Sequence, residues 1–562
     1  NGLYLTAGTT AAAITGGHYT ANGNGIGILV GDDTGTTGAA TISNMDGTSF
    51  TVNTDSSSDG HGTGIFLRNG KITAKNINIA SDANGNEILT TVNTNYANEF
   101  EIDKTSSIKG TGNNNVAFNL QNGSTADNTH VKIISKSGSA GPDITFADPS
   151  SAATDYNNNT VYKVNKFINQ LSLVNGDKST TTAIGTDNAS TPAQTGVGRI
   201  YTKGNNNVIY EGLAYVKSGN LTLGDAQMVG SNNIMVNLRG PRASVQGSPT
   251  EAPVGAFGGE IRLQGSMGGE ARKWTDDYSQ NNVVVYAASG QNSKLGEGFI
   301  SDMSGTLKNV DIKDFRVGLG SASKRGIMVY ATNGTGVDVD TSATSKVAGI
   351  QAISDGVKAT ANGAALRGYD VANVTYADTS NESVIGFANG VFSNMTNYAV
   401  TGGGSIPKEQ STINFKQQVD MVAKKGVAYY AVDGGKIVAE KSTRAGGGQS
   451  VVAFANGYDK TGTISGSAGA STVQVKNITA ADYVLLADYA NRTAQERAKT
   501  YQNVGAYAID GGKVVIQSDA VASETAYEIE ANKIGSTTAT ALSTKSLVYG
   551  MGAYANGPTS LV

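Results

Sequence analysis

The chain has 562 residues, with 73 Gly, 8 Pro, 1 Trp, 3 His and no Cys, 16 % charged residues and a formal net charge of −4. That balance excludes a basic, nucleic-acid-binding surface as the organising feature, and no run of 18 apolar residues marks a transmembrane helix. A cysteine-free chain of this length fits an exported protein that avoids disulfides during passage. Length alone implies several globular domains. A solenoid evades that rule, because each coil needs only its neighbours and a narrow core needs few apolar residues.

Residues 1–140 already alternate strand and turn. Ile26 to Val30 with Gly31, Gly64 to Thr73, and Val116 to Gln121 followed by Asn122-Gly123 each read as an apolar run closed by a turn. The starts at 26, 65 and 116 predict steps of about two coils. Asp82-Ala83-Asn84-Gly85-Asn86-Glu87 lacks full calcium-loop spacing and reads as a turn. Residues 138–196 are rich in Ser, Ala, Thr and Asp, with Pro142, Pro149 and Pro192. They predict surface loops at 139–158 and 180–197, with strand between Val161 and Val174.

Residues 197–239 return to the coil. Asn206-Asn207, Asn232-Asn233 and Asn281-Asn282 each precede a strand. Asn at equivalent corners of stacked coils forms a side-chain amide ladder, or serves simply as a permissive turn residue; both readings stand at this point. Residues 240–280 break the rhythm with Pro241, Pro249, Pro253 and the only Trp, and predict an insertion standing off the solenoid.

From 281 onward one unit recurs. Its clearest copies are Val427-Ala428-Tyr429-Tyr430-Ala431-Val432-Asp433-Gly434-Gly435-Lys436 and Val504-Gly505-Ala506-Tyr507-Ala508-Ile509-Asp510-Gly511-Gly512-Lys513. An aliphatic residue is followed three positions on by an aromatic, then Ala, then a Gly turn that supplies positive φ. The aromatics Tyr286, Tyr330, Phe387, Tyr430, Phe454, Tyr507 and Tyr554 lie 44, 57, 43, 24, 53 and 47 residues apart. The spacing predicts a solenoid of 22–24-residue coils, the larger steps being two coils plus an insertion. About 20 coils follow. Alternation predicts that Val427, Tyr429 and Ala431 face inward and that the aromatics form a line on the outer face. Two helices are expected, at 412–425, where Phe415, Val419 and Val422 have helical spacing, and at 479–499, which opens on a capping-box pattern.

The fold class expected is therefore all-β, a right-handed parallel β-helix with surface loop insertions and two short helical excursions. Its segments are 1–239, an insertion at 240–280, and 281–562.

The Val-Gly-Ala-Tyr-Ala-Ile-Asp-Gly-Gly-Lys-Val-Val stretch, the Asn-Asn-Val strands and Leu547 to Ala555 resemble the passenger repeats of large type V autotransporter adhesins, notably the fusobacterial arginine-inhibitable and galactose-inhibitable ones. The resemblance is strongest over 280–562. It implies a chain carried to the outer membrane, held there by a barrel outside these residues, that binds other bacteria or host-cell glycans and receptors. Asn1 with no signal peptide after it reads as a mature or truncated segment.

A polysaccharide-cleaving β-helix enzyme is the alternative, since such enzymes set several acids and bases on one strand face across adjacent coils. Acids are sparse within the repeats, and Asp433 and Asp510 read as turn residues. No nucleophile motif or phosphate loop occurs. A purely structural stalk is a third reading. His18, His61 and His130 are far apart and read as surface residues, so neither metal nor cofactor is expected. The expected ligand-binding residues are Trp274, Asp276, Asp277 and Tyr278 in the insertion. The Trp ring can stack on a sugar or alkyl chain beside two carboxylates, although Arg272 and Lys273 could neutralise those acids internally. A monomer is expected.

Overall fold

The computed structural model describes residues 2–32, 38–53, 62–93, 96–122, 130–135, 142–147, 154–165, 168–175, 199–213, 216–238, 260–268, 283–287, 306–317, 327–332, 336–339, 350–354, 383–389, 412–416, 419–423, 425–446, 449–457, 470–480, 503–517, 547–548, 550–557 and 559–562. Among them every regular element is a strand. The strands stack in parallel register to form a β-solenoid. Contacts divide the chain into two compact units. Unit 1 comprises Asn1–Thr182, Pro192–Val229 and Asn233–Gln264; unit 2 comprises Ala183–Thr191, Gly230–Asn232 and Gly265–Val562.

In unit 1 a coil contributes one strand to a first sheet and two to a second. Thr63–Arg68 belongs to the first sheet, and Gly70–Lys75 and Asn78–Ser81 to the second. The first sheet runs Leu3–Leu5, Ile26–Val30, Thr63–Arg68, Glu87–Asn93, Val116–Asn122, Thr160–Asn165, Val208–Leu213 and Ile234–Leu238, each parallel to the next. In unit 2 it runs Val283–Ala287, Ile327–Thr332, Ser383–Asn389, Lys425–Val432, Gln449–Asn456, Asn503–Ile509 and Gly550–Asn556.

This register corrects the coil count. The steps of 37, 24 and 29 residues that begin at Ile26, and the steps of 43 to 57 in unit 2, are single coils. The first sheet has eight described strands in unit 1 and seven in unit 2, against the twenty coils expected. Coil length therefore varies, which a solenoid tolerates because lengthening a connection costs little closure entropy.

The cores are columns of one residue per coil. In unit 1, Ile79, Ile108, Ile144 and Ile200 are successive register partners on the second sheet and all are buried. In unit 2, Ile413, Ile437, Val473 and Val514 stack likewise. Each such side chain contributes about 1.5–3 kcal/mol of apolar burial.

The helix expected at 412–425 is replaced by two strands, Thr412–Phe415 and Val419–Ala423. Ile413 and Phe415 alternate at period two and both are fully buried. The helical spacing of Phe415 and Val419 arises because they are core residues of two consecutive strands. Thr479 and Ala480 end the strand Thr472–Ala480; the rest of the helix expected at 479–499 lies outside the described residues. One further strand occurs where a loop was expected, and another lies within the segment expected as an insertion. Asp143–Phe146 buries Ile144 and Phe146, and Glu260–Gly268, within 240–280, buries Ile261 and Leu263.

Corners explain the asparagines: they are turn residues, and the ladders they form run from backbone N–H to side-chain Oδ1 instead of from amide to amide. Asn114, Asn158, Asn206 and Asn232 have φ of 57–59°, the left-handed conformation that Asn tolerates. Their neighbours form two ladders in unit 1. On the buried side the backbone N–H of Asn86 donates to Asn115 Oδ1, Asn115 to Asn159, Asn159 to Asn207 and Asn207 to Asn233, at 2.8–2.9 Å. On the outer side the sense reverses: Asn113 N–H donates to Asn84 Oδ1, Asn157 to Asn113 and Asn205 to Asn157, at 2.6–2.7 Å. Each corner is thereby tied to the coil on either side. Asn281 and Asn282 lie outside the described residues.

Candidate functional site

Trp274, Asp276, Asp277 and Tyr278, expected to bind ligand, lie outside the described residues. The feature that the repeated motif builds is the outer face of the first sheet.

Its shape depends on a break in alternation. The pairing passes over one residue in each strand: Val427 pairs with Val451 and Tyr429 with Ala453, leaving out Ala428 and Val452. The same happens at Gly27 and Gly64, at Ala117 and Val161, and at Val161 and Ile209. A Cβ built at Gly64 would meet Val52 and Ile79 of the second sheet, and one at Gly386, partner of Tyr429, would meet Phe415. Two consecutive positions thus face inward, as at a bulge.

The facing expected from strict alternation is corrected accordingly. Tyr429 is inside, against the Phe415 ring and with its hydroxyl 2.7 Å from Thr443 Oγ1. Val427 instead joins Tyr430, Val384, Val451, Phe454 and Val504 in a cluster on the opposite face. Ala431 and Ala508 are buried inward, as expected.

The aromatics form the expected line in unit 2. Tyr286, Tyr330, Phe387, Tyr430, Phe454, Tyr507 and Tyr554 are successive register partners with ring centroids 4.6–5.1 Å apart. The line is not openly exposed. Phe454 is 0 % and Tyr430 8 % exposed, whereas Tyr554 reaches 36 %. Burial pushes the Tyr430 hydroxyl above its ordinary pKa, opposed by a hydrogen bond with the Asn456 side chain and assisted by Asp433. Rings stacked on one another have no free faces between them, so the column is mortar rather than a series of sugar platforms.

The turn after the aromatic is equally regular. Asp433 and Gly434, and Asp510 and Gly511, have φ of 51°, 90°, 50° and 88°. Ser471 Oγ accepts from Gly434 N–H and donates to the Asn456 carbonyl. Ser560 does the same for Gly511 and Asn556. Both aspartates are turn residues, consistent with their structural reading.

In unit 1 the same row begins apolar, with Tyr4, Leu29 and Phe66, and then turns polar: Thr90, Asn119, Lys163, Glu211 and Asn237 follow on consecutive coils. Glu87, three residues before Thr90 in the same strand, accepts from Thr90 Oγ1 and Asn119 Nδ2. Lys163 and Glu211 are half-buried. Burial pushes the Glu211 carboxyl above the usual range, and Lys163 opposes the shift. Sequence reading missed this row because its members are 26 to 48 residues apart and only the register aligns them.

Asp82–Glu87 is a corner: Asn84 and Asn86 serve the ladders, and Glu87 is held by Thr90 and Asn119. His18 Nδ1 lies 2.7 Å from Ser49 Oγ on the exposed side. Among the described residues no group of three His, Cys, Asp or Glu could hold a metal ion. No family profile, no curated protein and no solved structure matches the chain.

Proposed function

We propose that the chain is passenger material of an adhesin displayed at a bacterial surface, attaching the cell to other bacteria or to host cells through glycans or protein receptors. On this reading it is anchored to the outer membrane by a barrel outside these residues and works by binding, not turnover. The observation that carries the reading is the ring column of unit 2. The motif copies on which the resemblance to type V autotransporter passengers rests stack as one physical unit, coil on coil. Stacked coils tolerate insertions between them, and binding loops on a repeating scaffold suit attachment.

Trp274, Asp276, Asp277 and Tyr278 remain the proposed contact residues. The test is binding of the purified chain to partner bacteria and host cells, with free galactose and free arginine as competitors. Saturable binding lowered by one competitor is expected; no binding to any surface contradicts the reading. Trp274→Ala and Asp276→Asn should each abolish attachment with unchanged circular dichroism.

The Glu87–Lys163–Glu211 stretch is the one observation that favours a glycan-cleaving enzyme. Glu87 and Glu211 are three coils apart, about 14 Å between backbones at ~4.8 Å per strand, beyond the roughly 5–9.5 Å that a carboxylate pair needs. Glu87 is also engaged by Thr90 and Asn119.

A further inference from the structure

Within the polar row of unit 1, Glu211 and Asn237 are direct register partners on parallel strands, with side chains on the same outer face. Asn237 is 7 % exposed, and its Oδ1 is buried without any donor. A buried acceptor that water cannot reach requires a donor from its surroundings. The next group along the row is a carboxyl, which has nothing to donate when ionised and one O–H when neutral.

We infer that Glu211 is a protonation-gated clasp: its neutral carboxyl donates to Asn237 Oδ1 and ties the coil of Val208–Leu213 to the coil of Ile234–Leu238, and ionisation releases it. Among the described residues the groups that face it are few. Strand Thr160–Asn165 presents Lys163, its register partner on the other side. Strand Ile234–Leu238 holds no titratable residue, and on its own strand Tyr210 is fully buried on the inner side. Among the described residues no ion pair joins Lys163 to Glu211, so the cation disfavours the neutral acid through space without holding the carboxylate. Half-burial favours the neutral acid, and of the two influences it is the larger.

The sign follows from the direction of that shift. A carboxyl whose folded pKa is raised contributes stability that is complete below the ordinary carboxylate range, about 4.3 for Glu, and lost as pH rises through the folded value. The coil junction is therefore fastened by acid and loosened towards neutral pH. This concerns the fold of the chain whatever surface it binds, so it stands or falls separately from the adhesin reading.

Hydrogen exchange read by mass spectrometry on the intact chain tests it, with protection corrected for the intrinsic pH dependence of exchange. Between about pH 4 and pH 8 the peptides spanning 208–213 and 234–238 should lose protection at least about threefold in the native chain. In Glu211→Gln, whose amide donates at every pH, that loss should vanish. Asn237→Leu should remove the acid-side gain. Lys163→Met should move the transition to higher pH, because the opposing cation is gone. Equal pH dependence in the native chain and Glu211→Gln, or an unmoved transition in Lys163→Met, would overturn the clasp. Should one variant fail to fold, the others still decide.

Discussion

Glycines at two sites show how tightly single positions are set. A Cβ on Gly512 would sit 2.2 Å from the Ala455 carbonyl oxygen of the preceding coil, whereas one on Gly552 meets nothing within 4 Å. The obstruction at Gly512 is backbone, so relief requires moving a coil. Gly512→Ala should destabilise by about 2 kcal/mol or more. Gly552→Ala should be neutral or stabilise by up to about 1 kcal/mol, through the unfolded chain alone. Equilibrium denaturant unfolding of the two variants checks both. The Asp-Gly-Gly signal that marks this turn was legible at once, because two successive left-handed residues admit little else.

At the scale of the element, the Asn corner and the ring column are what the repeat encodes. Asn159 both receives the Asn115 N–H and donates its own N–H to Asn207. Asn159→Leu leaves a buried donor unpaired and should cost about 1–3 kcal/mol. Asn158→Ala, at φ 59°, should cost about 1–2 kcal/mol by strain alone. In the column Phe454→Ala should cost about 3–5 kcal/mol, and the exposed Tyr554→Ala much less. A cost at Tyr554 equal to that at Phe454 would show that the column's burial is not what stabilises it. The strands, turns and aromatic line could be read from sequence because each has a local signature. The bulge could not: nothing in Val-Ala-Tyr-Tyr-Ala says that Ala428 and Tyr429 share a face, and alternation therefore placed Val427 inside. Thr412–Phe415 was misread for a related reason, since core residues of two strands that follow each other closely imitate a helical period. The polar row of Thr90, Asn119, Lys163, Glu211 and Asn237 had no local signature at all.

For the whole chain, the decisive quantity is how many coils a repeat step contains. Counting residues gave two coils for the longer steps; pairing gives one. This matters for function, because it leaves much of the chain free to vary around a constant scaffold, and that is the arrangement in which a binding surface is set by loops. The chain contains no Cys, so a single engineered pair reports cleanly. Tyr507 and Tyr554 are 47 residues apart in sequence and register partners in the first sheet. One coil separates their backbones by about 4.8 Å, within disulfide reach; two coils would separate them by roughly 9.6 Å, beyond the limit of about 7 Å. Tyr507→Cys with Tyr554→Cys should form an intramolecular disulfide in the native chain under mild oxidation, seen as a linked peptide pair by mass spectrometry. Free thiols at both positions in folded protein would contradict one coil per step.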